Sequence, residues 1–330
     1  MTTPYRLYGG LGSPYSMKMR ALLRYRRIPF VWINITDQGA DVFAKVKAPV
    51  IPVLEWPDGA AMNDSTPLVF ELERRHSDRS VVPDDEAQAF LAFVLEDMAD
   101  EWGAKLMFHY RWFAERDQLQ MSRWLAFDRL RGRGRAAIEQ AAAFFRERQV
   151  GRMALVGCKP QNAPVIEESA RRIFALFEAQ VTEEGYLFGS RPSLADFAWM
   201  GQLSQLAADP SPYDLMRESA PYLMRWLQNL DDASGVEGAW REGLSPAVEG
   251  LLALAGEVYF PFLQANAAAL ARGEETFTIE LLGRPYEQGT FRYQAKCLAE
   301  LRSRYAALSD AARAAVDPVA EASGFLKALR

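Results

Sequence analysis

The sequence predicts an α+β domain at residues 1–80, an all-α domain at residues 86–240 and a mostly helical C-terminal extension at residues 241–330. Strand and helix signals alternate over the first part of the chain, whereas apolar residues recur at helical spacing over the rest. The chain has 330 residues, 49% of them hydrophobic, which excludes a disordered polypeptide and exceeds the size of one typical core.

The charge balance gives no reason to expect a nucleic acid as partner. The 38 basic and 43 acidic residues leave a net charge of −5, which provides no overall attraction to nucleic acid or to an anionic membrane. The arginine-rich runs at residues 24–27 and 131–135 are therefore expected to be a helix end and a solvated loop.

Cysteine usage and hydropathy indicate a protein of the reducing cytoplasm. Cys158 and Cys297 lie too far apart in sequence to predict a disulfide framework or a metal site, and we expect both to be inert. No stretch approaches the roughly 18 uncharged apolar residues of a membrane span, and the N-terminus does not resemble a signal peptide. We therefore expect a soluble, cytoplasmic protein with no metal and no membrane association.

The first predicted elements form a β-α-β unit. Residues 6–8 give a short strand signal, and the glycines that follow it indicate a turn. Ser13 is a favourable helix N-cap and Pro14 suits the first helical turn, so the first helix is predicted to begin there. Pro29 ends that helix, and residues 30–35 are rich enough in β-formers to predict a buried strand.

A hairpin and a second helix are predicted next. Residues 51–56 indicate a strand, Pro57-Asp58-Gly59 a tight turn and residues 60–63 a returning strand. Asp64-Ser65 can then cap a helix. The polar residues 77–85 are predicted to link the two domains.

These residues carry a resemblance to a known family. Over residues 5–76, the sequence resembles the thioredoxin-fold domain of the glutathione transferases. The resemblance depends on the order and spacing of short motifs, namely Leu7-Tyr8, Ser13-Pro14-Tyr15-Ser16, Arg20, Ile51-Pro52-Val53-Leu54, Asp58-Gly59 and Asp64-Ser65. It implies the glutathione transferase architecture, a thioredoxin-like domain followed by an all-helical domain, and a homodimer.

The resemblance also implies roles for single residues toward glutathione. Ser13 would take the thiol-activating position, and Pro52 would match the family's cis-proline. The backbone of Ile51 would then pair with the cysteinyl part of glutathione, and Asp64-Ser65 would hold its γ-glutamyl end. Lys45 or Lys47, of which we favour Lys47, would meet the glycine carboxylate.

Physical chemistry supports the role assigned to Ser13 independently of the family resemblance. A thiol with a pKa near 8.5 is mostly protonated at neutral pH, and a helix N-terminus together with a hydroxyl donor stabilises the thiolate. Serine cannot form a disulfide, which disfavours disulfide exchange and leaves conjugation, thiolytic cleavage or isomerisation. Each residue also has a structural alternative: Ser13 and Asp64-Ser65 as helix caps, and Pro52 as a trans proline at a sheet edge.

The all-helical domain is predicted to begin with one long amphipathic helix over residues 87–113. Its end is rich in aromatic residues beside a cation, which is typical of an apolar ligand pocket, and we assign Tyr15, His109, Tyr110 and Trp112 to an electrophile pocket. The alternative for His109, which we favour, is a core histidine bonded to backbone.

Further helices are predicted at residues 136–148, 166–181 and 221–230. Ser193 and Asp196 resemble a capping box, and a glycine before this Ser-x-x-Asp pattern is also typical of the helical domain of glutathione transferases. Its role is structural in either interpretation.

The resemblance stops near residue 240. Beyond it the pattern predicts a long helix at residues 246–271, a short strand at 277–281 and a helix at 293–308. This extension can cap the active-site cleft, cover a sheet edge or bind a partner, and the sequence leaves all three open.

The sequence therefore predicts a glutathione transferase-like enzyme. In this hypothesis Ser13 stabilises the thiolate of the co-substrate glutathione, which attacks a small electrophile, a chemistry typical of detoxification. The alternatives are a non-catalytic glutathione-binding or protein-interaction module on the same fold and a glutathione-dependent isomerase, which a small polar pocket would favour.

Overall fold

The N-terminal domain is a four-stranded mixed sheet with two helices. The structure is a computed structural model that describes residues 4–35 and 39–330. The strands lie in the order β2-β1-β3-β4, with β1 and β2 parallel and the other neighbouring pairs antiparallel. In chain order the elements are β1 (Tyr5–Gly9), α1 (Pro14–Tyr25), β2 (Phe30–Asn34), β3 (Val53–Glu55), β4 (Ala61–Asn63) and α2 (Ser65–Arg75).

Two local predictions in this domain are confirmed. Ser13 is the N-cap of α1, and its Oγ accepts a hydrogen bond from the Ser16 backbone N–H at 3.3 Å. The Ile51–Pro52 peptide bond is cis. The prediction that residues 30–35 form a buried strand is wrong, because β2 has a single neighbour at the sheet edge and Val31 is 47% exposed.

Helices make up the second domain, and they include each one that the sequence predicts. Helices α5 and α9 were not anticipated. The elements are α3 (Glu86–Met98), α4 (Ala104–Phe113), α5 (Glu115–Leu130), α6 (Arg135–Val150), α7 (Ala163–Glu183), α8 (Leu194–Leu206), α9 (Pro210–Ser219) and α10 (Pro221–Leu230).

The predicted capping box begins α8. The Ser193 backbone N–H and Oγ–H both donate to Asp196 Oδ2, at 2.8 and 2.7 Å, and the Leu187 N–H donates to Oδ1 at 3.0 Å. Because these donors satisfy a fully buried carboxylate, the motif fixes the start of the central helix of this domain.

The long helix predicted at residues 87–113 differs from the expectation in two ways. It is interrupted by a π-helical turn at Ala99–Gly103, which separates α3 from α4. In addition, α3 is buried almost all round instead of being amphipathic. The reason is that α8 covers one side of α3 and the C-terminal extension covers another.

The extension contains helices and one β-hairpin. Its elements are α11 (Pro246–Leu254), α12 (Phe260–Arg272), β5 (Thr276–Leu281), β6 (Arg284–Gly289), α13 (Arg292–Ala307), α14 (Asp310–Ala322) and α15 (Leu326–Leu329). Of these, β6, α14 and α15 are not predicted by the sequence. Its buried side chains join the same hydrophobic cluster as those of the first two domains, and Trp102 of the second domain packs edge-on against Phe262 at 5.6 Å. The domain boundaries at 80, 86 and 240 stay a prediction.

One helical run of the extension is apolar enough to resemble a membrane span. Pro246–Arg272 meets the criteria of length and composition, with a mean hydropathy of 1.2. However, 61% of its most apolar window is buried inside the protein, as in a core helix. Within this run a π-helical turn at Ala255–Tyr259 brings Gly256 against the backbone of Ser323.

Candidate functional site

Two adjoining cavities lie at the N-terminus of α1. The first, here called the acidic cavity, has a volume of about 450 Å³ and is lined by Asp64, Asp97, Asp100 and Glu101 among others. The second, here called the arginine cavity, has a volume of about 270 Å³ and is lined by Arg111, Arg129 and Arg148 among others. Tyr15 and Ile51 line both cavities, so the two form one cleft with two differently charged ends.

Ser13 lies in the arginine cavity, next to the junction. It is half-buried at the N-terminus of α1, and its oxygen already accepts the Ser16 N–H. The hydroxyl hydrogen has no acceptor within residues 4–35 and 39–330, so it can be donated to a ligand atom in the cavity. The macrodipole of α1 and the backbone N–H of Tyr15 give the same position a partial positive charge.

Four other predicted glutathione contacts of the thioredoxin-like domain line the acidic cavity. Ile51, Pro52, Asp64 and Ser65 all do so. Asp64 has a φ of 78°, which is unusual for a residue other than glycine and places its side chain at the start of α2. Conformations of this kind are concentrated at ligand sites, where the surrounding structure compensates for their strain.

A buried charge network supports the floor of the acidic cavity. Lys18 Nζ donates to Glu96 Oε1 at 2.5 Å and to Asp100 Oδ2 at 2.7 Å. Ser65 Oγ lies 3.2 Å from the same Asp100 oxygen, and Thr66 Oγ1 lies 2.7 Å from Glu96 Oε1. Burial alone would lower the pKa of Lys18, but the two carboxylates outweigh it and raise that pKa. The network therefore fixes α1, α2 and α3 together behind Ser65.

Two further carboxyl groups of the cavity have strongly raised pKa values. Burial raises the pKa of Asp97 to about 7, although the Tyr259 hydroxyl donates to its Oδ2 at 2.6 Å. Burial, with the nearby Asp97 charge, raises the pKa of Glu101 to about 8. Burial also raises the pKa of Asp64. Asp97 and Glu101 can therefore change protonation near neutral pH when a charged ligand enters.

The C-terminal extension forms one wall of the acidic cavity. Tyr293, at the start of α13, lines it and its hydroxyl lies 3.2 Å from Asp64 Oδ2. The sequence left three roles open for the extension. The position of Tyr293 agrees with the first of them, in which the extension covers part of the candidate cleft.

The lysines predicted to meet a glycine carboxylate are not brought into either cavity. Lys45 Nζ donates to Glu55 Oε1 and, at 3.0 Å, to the Gly59 carbonyl. Lys47 is exposed and lines neither cavity, although the neighbouring Ala48 lines the acidic one.

The four residues predicted to form the electrophile pocket do not all lie together in the structure. Trp112 and Tyr15 line the arginine cavity, and the Tyr15 hydroxyl donates to the Asp100 carbonyl at 2.9 Å. His109 and Tyr110 line neither cavity. His109 is 1% exposed and its Nε2 lies 3.1 Å from Glu167 Oε1, so its partner is a side chain and not the backbone group of the alternative interpretation. Burial lowers its pKa.

Arg111 positions the loop that carries Ser13. It is 3% exposed, its Nε donates to Asp209 Oδ2 at 2.8 Å, and one terminal nitrogen donates to Gln205 Oε1 at 2.7 Å. The other terminal nitrogen donates to the Gly12 carbonyl at 2.8 Å, directly before Ser13. This buried ion pair therefore connects the helical domain to the residue before the α1 cap.

Sequence reasoning missed most of the charged lining. Asp97, Asp100 and Glu101 have the i, i+3, i+4 spacing of one helix face, and that spacing was available as a signal. On a helix predicted to be amphipathic, however, such a face is normally solvated. No local signal marked Tyr293, which lies 229 residues from Asp64 in sequence.

Comparisons with known proteins agree with this architecture. The family model described as the glutathione S-transferase N-terminal domain matches residues 7–80, and the one described as the C-terminal domain matches residues 126–229. The chain belongs to the glutathione transferase superfamily. Both matched segments end before residue 241, where the predicted C-terminal extension begins. A comparison with curated proteins finds no match.

Solved structures of glutathione transferases are similar to this chain at low sequence identity. One from Phanerochaete chrysosporium is 15% identical, with a TM-score of 0.50 over 72% of this chain and 100% of that one. One from Methylobacterium radiotolerans, in complex with glutathione sulfonate, is 19% identical, with a TM-score of 0.45 over 74% and 98%. One from Methylobacillus flagellatus with glutathione bound is 19% identical, with a TM-score of 0.38 over 68% and 93%.

Proposed function

We propose that the chain is a glutathione transferase-like enzyme that binds glutathione across the two cavities and activates its thiol for attack on a small electrophile. One observation carries this proposal: Ser13, at the N-terminus of α1, lies where the acidic and arginine cavities meet at Ile51 and Tyr15. A thiol bound beside Ser13 would face the arginine cavity, while the rest of the tripeptide would extend toward Asp64 and Ser65.

The acidic cavity suits the γ-glutamyl end of glutathione. Its α-ammonium group would meet the carboxyl groups of Asp64 and Glu101, and its α-carboxylate would lie near the Ser65 hydroxyl at the N-terminus of α2. A bound ammonium group would lower the raised pKa values of these acids, because it stabilises their charged forms. Binding near neutral pH should therefore release protons.

Ser13 would stabilise the thiolate as a hydrogen-bond donor. Its oxygen accepts the Ser16 N–H, so its hydrogen is available for the sulfur. A hydrogen bond to a charged group contributes about 1.5–3 kcal/mol, which corresponds to lowering the thiol pKa by about one to two units. The partial positive charge of the helix N-terminus adds to this effect.

Binding is tested first by calorimetric titration with glutathione and S-hexylglutathione. We expect both to bind, with the hexyl compound tighter because its chain enters the arginine cavity, and proton release to appear when buffers of different ionisation enthalpy are compared. If neither compound binds at millimolar concentration, the proposal fails. Binding without any rate enhancement toward electrophiles would instead favour the non-catalytic glutathione-binding module.

The role of Ser13 is tested by a pH titration of thiolate absorbance in the glutathione complex. Ser13→Ala should raise the pKa of the bound thiol by about one to two units. Ser245→Ala is the matched control, because Ser245 is also an N-cap, accepts the Val248 N–H at 3.2 Å and lies in the extension. An equal thiol pKa in the two variants would remove Ser13 from the mechanism.

A second candidate, glutathione-dependent isomerisation, is favoured by the small volume and the charged lining of the arginine cavity. In that reaction the thiolate adds to an activated double bond, the resulting single bond rotates, and the same sulfur leaves as the double bond forms again. Glutathione would then be required but not consumed, which a thiol assay after complete turnover distinguishes from conjugation. The homodimer and the cytoplasmic location implied for the family stay predictions, and sedimentation velocity tests the first.

A further inference from the structure

The arginine cavity contains two guanidinium groups without a carboxylate partner. Arg111 is neutralised by Asp209. Arg129 and Arg148 line the same cavity, and across residues 4–35 and 39–330 neither forms an ion pair with an acidic side chain. Arg129 lies over the ring of Phe145 at 4.9 Å, which orients its guanidinium group without neutralising it.

Little negative charge opposes this pair inside the cavity. Among the described lining residues Asp128 is the one carboxyl, and burial raises its pKa. Burial and the nearby Arg148 charge lower the pKa of Arg129, as expected for two cations without an anion between them. The positive charges of Arg129 and Arg148 therefore give the cavity a local field that attracts anions.

The cavity wall on the side of the helical domain is largely apolar. Met107, Phe108, Trp112, Leu125 and Phe145 line it on the side of the helical domain. Phe145 and Trp112 are buried, and Phe108 packs against Trp112 with ring centroids 6.3 Å apart. A ligand that fills this space therefore meets both aromatic side chains and two guanidinium groups that have no acidic partner within the described residues.

We propose that the arginine cavity accepts an anionic second substrate, an aryl or alkyl electrophile bearing a carboxylate that binds between Arg129 and Arg148. This inference rests on the proposed function, because it assumes that the thiolate of glutathione lies beside Ser13. It adds the charge of the electrophile, which determines the substrate class. The acidic cavity is lined by four carboxyl groups, so the two ends of the cleft are electrostatically distinct.

The test uses three glutathione conjugates that differ only in the charge at the end of one ring. S-benzylglutathione is the neutral reference, S-(4-carboxybenzyl)glutathione carries the anion, and S-(4-aminomethylbenzyl)glutathione carries a cation. We expect the carboxylated compound to bind about tenfold more tightly than the neutral one, and the cationic compound to bind more weakly. The preference for the anion should decrease with added salt, because both arginines are exposed.

Variants of the arginines then assign the preference to them. Arg129→Gln and Arg148→Gln should each reduce the advantage of the carboxylated compound, and the double variant should remove it, while the affinity for glutathione itself stays unchanged. Arg225→Gln is the matched control, since Arg225 is an exposed arginine on α10 that lines neither cavity. A normal melting temperature for each variant confirms that it is folded.

Three results would overturn the inference. Equal or weaker binding of the carboxylated compound by the unmodified protein would show that the cavity does not select anions, while leaving the proposed function intact. Equal weakening of all three conjugates and of glutathione in the arginine variants would assign the pair to the glycine carboxylate of glutathione. Binding of none of the compounds would overturn the proposed function, and the inference with it.

Discussion

Replacing Lys18 by methionine should lower the free energy of unfolding by about 3–5 kcal/mol, because the substitution leaves two buried carboxylates without their cation. The Lys18 side chain is 1% exposed, and those of Glu96 and Asp100 are 0% and 9% exposed. Its ammonium group lies 2.5 and 2.7 Å from their oxygens. Methionine keeps most of the volume, so the loss measures charge and hydrogen bonding more than packing.

The measurement is urea denaturation followed by tryptophan fluorescence at pH 7. Lys159→Met is the matched control, because Lys159 pairs with Glu287 at 2.5 Å but the two side chains are 23% and 40% exposed. A pair of this kind contributes about 0–1 kcal/mol, so the control should lose far less stability. Adding Glu96→Gln to Lys18→Met should recover part of the lost stability, since it removes one of the two buried carboxylates that have no cation in Lys18→Met.

The same variant connects stability to the candidate site. Asp100, which Lys18 holds, also lies within hydrogen-bond distance of Ser65 in the acidic cavity. We therefore expect weaker glutathione binding in Lys18→Met even under conditions where the protein is fully folded. Equal stability losses in Lys18→Met and Lys159→Met would refute the reasoning, because they would mean that burial of this network carries no energetic weight.

Three further predictions concern the acidic cavity and the extension. Asp97 has a folded-state pKa of about 7 against about 4 when unfolded, so its contribution to stability is fully present below pH 4 and is lost as the pH rises through 7. Between pH 5 and 8 the free energy of unfolding should fall by roughly 3 kcal/mol, and Asp97→Asn, but not the exposed Asp58→Asn, should flatten that profile in denaturant titrations. Tyr293→Phe should weaken glutathione binding about two- to tenfold with an unchanged melting temperature, as measured by calorimetry, since it removes a single hydroxyl from the cavity wall; an unaltered dissociation constant would count against a role for the extension in binding. Gly256→Ala should lower the melting temperature strongly, because a Cβ would lie 1.7 Å from a backbone oxygen. Gly235→Ala is the control and should leave the melting temperature unchanged, because Gly235 has open space around it. Similar melting curves for the two variants would contradict this account.

Predictions based on local sequence agree best with the structure. Ser13 and Pro14 define the start of α1, and the Ser193–Asp196 capping box defines the start of α8. These features depend on residues that are close in sequence, so hydrogen-bonding and conformational preferences are sufficient to predict them. The 3.6-residue periodicity likewise located the helices around residues 136–148, 166–181 and 221–230.

Predictions of which face is buried were less reliable, because burial depends on what covers an element. The acidic residues of α3 and of the π-helical turn after it have the spacing of a solvated face, yet they line a cavity that the extension helps to enclose. Conversely, residues 30–34 are apolar enough for a central strand, but the sheet order leaves them at an edge.

By itself, the sequence determined the order of the elements in the first domain, the cap of its first helix and the residues whose pattern resembles the glutathione transferases. Only the tertiary structure decided that Tyr293 of the extension meets Asp64, that Arg129 and Arg148 share a cavity with Ser13, and that the cleft has two ends of opposite charge. The physical reason is that caps, turns and periodicity are set by neighbours in the chain, whereas a cavity and its field are made by side chains that only folding brings together.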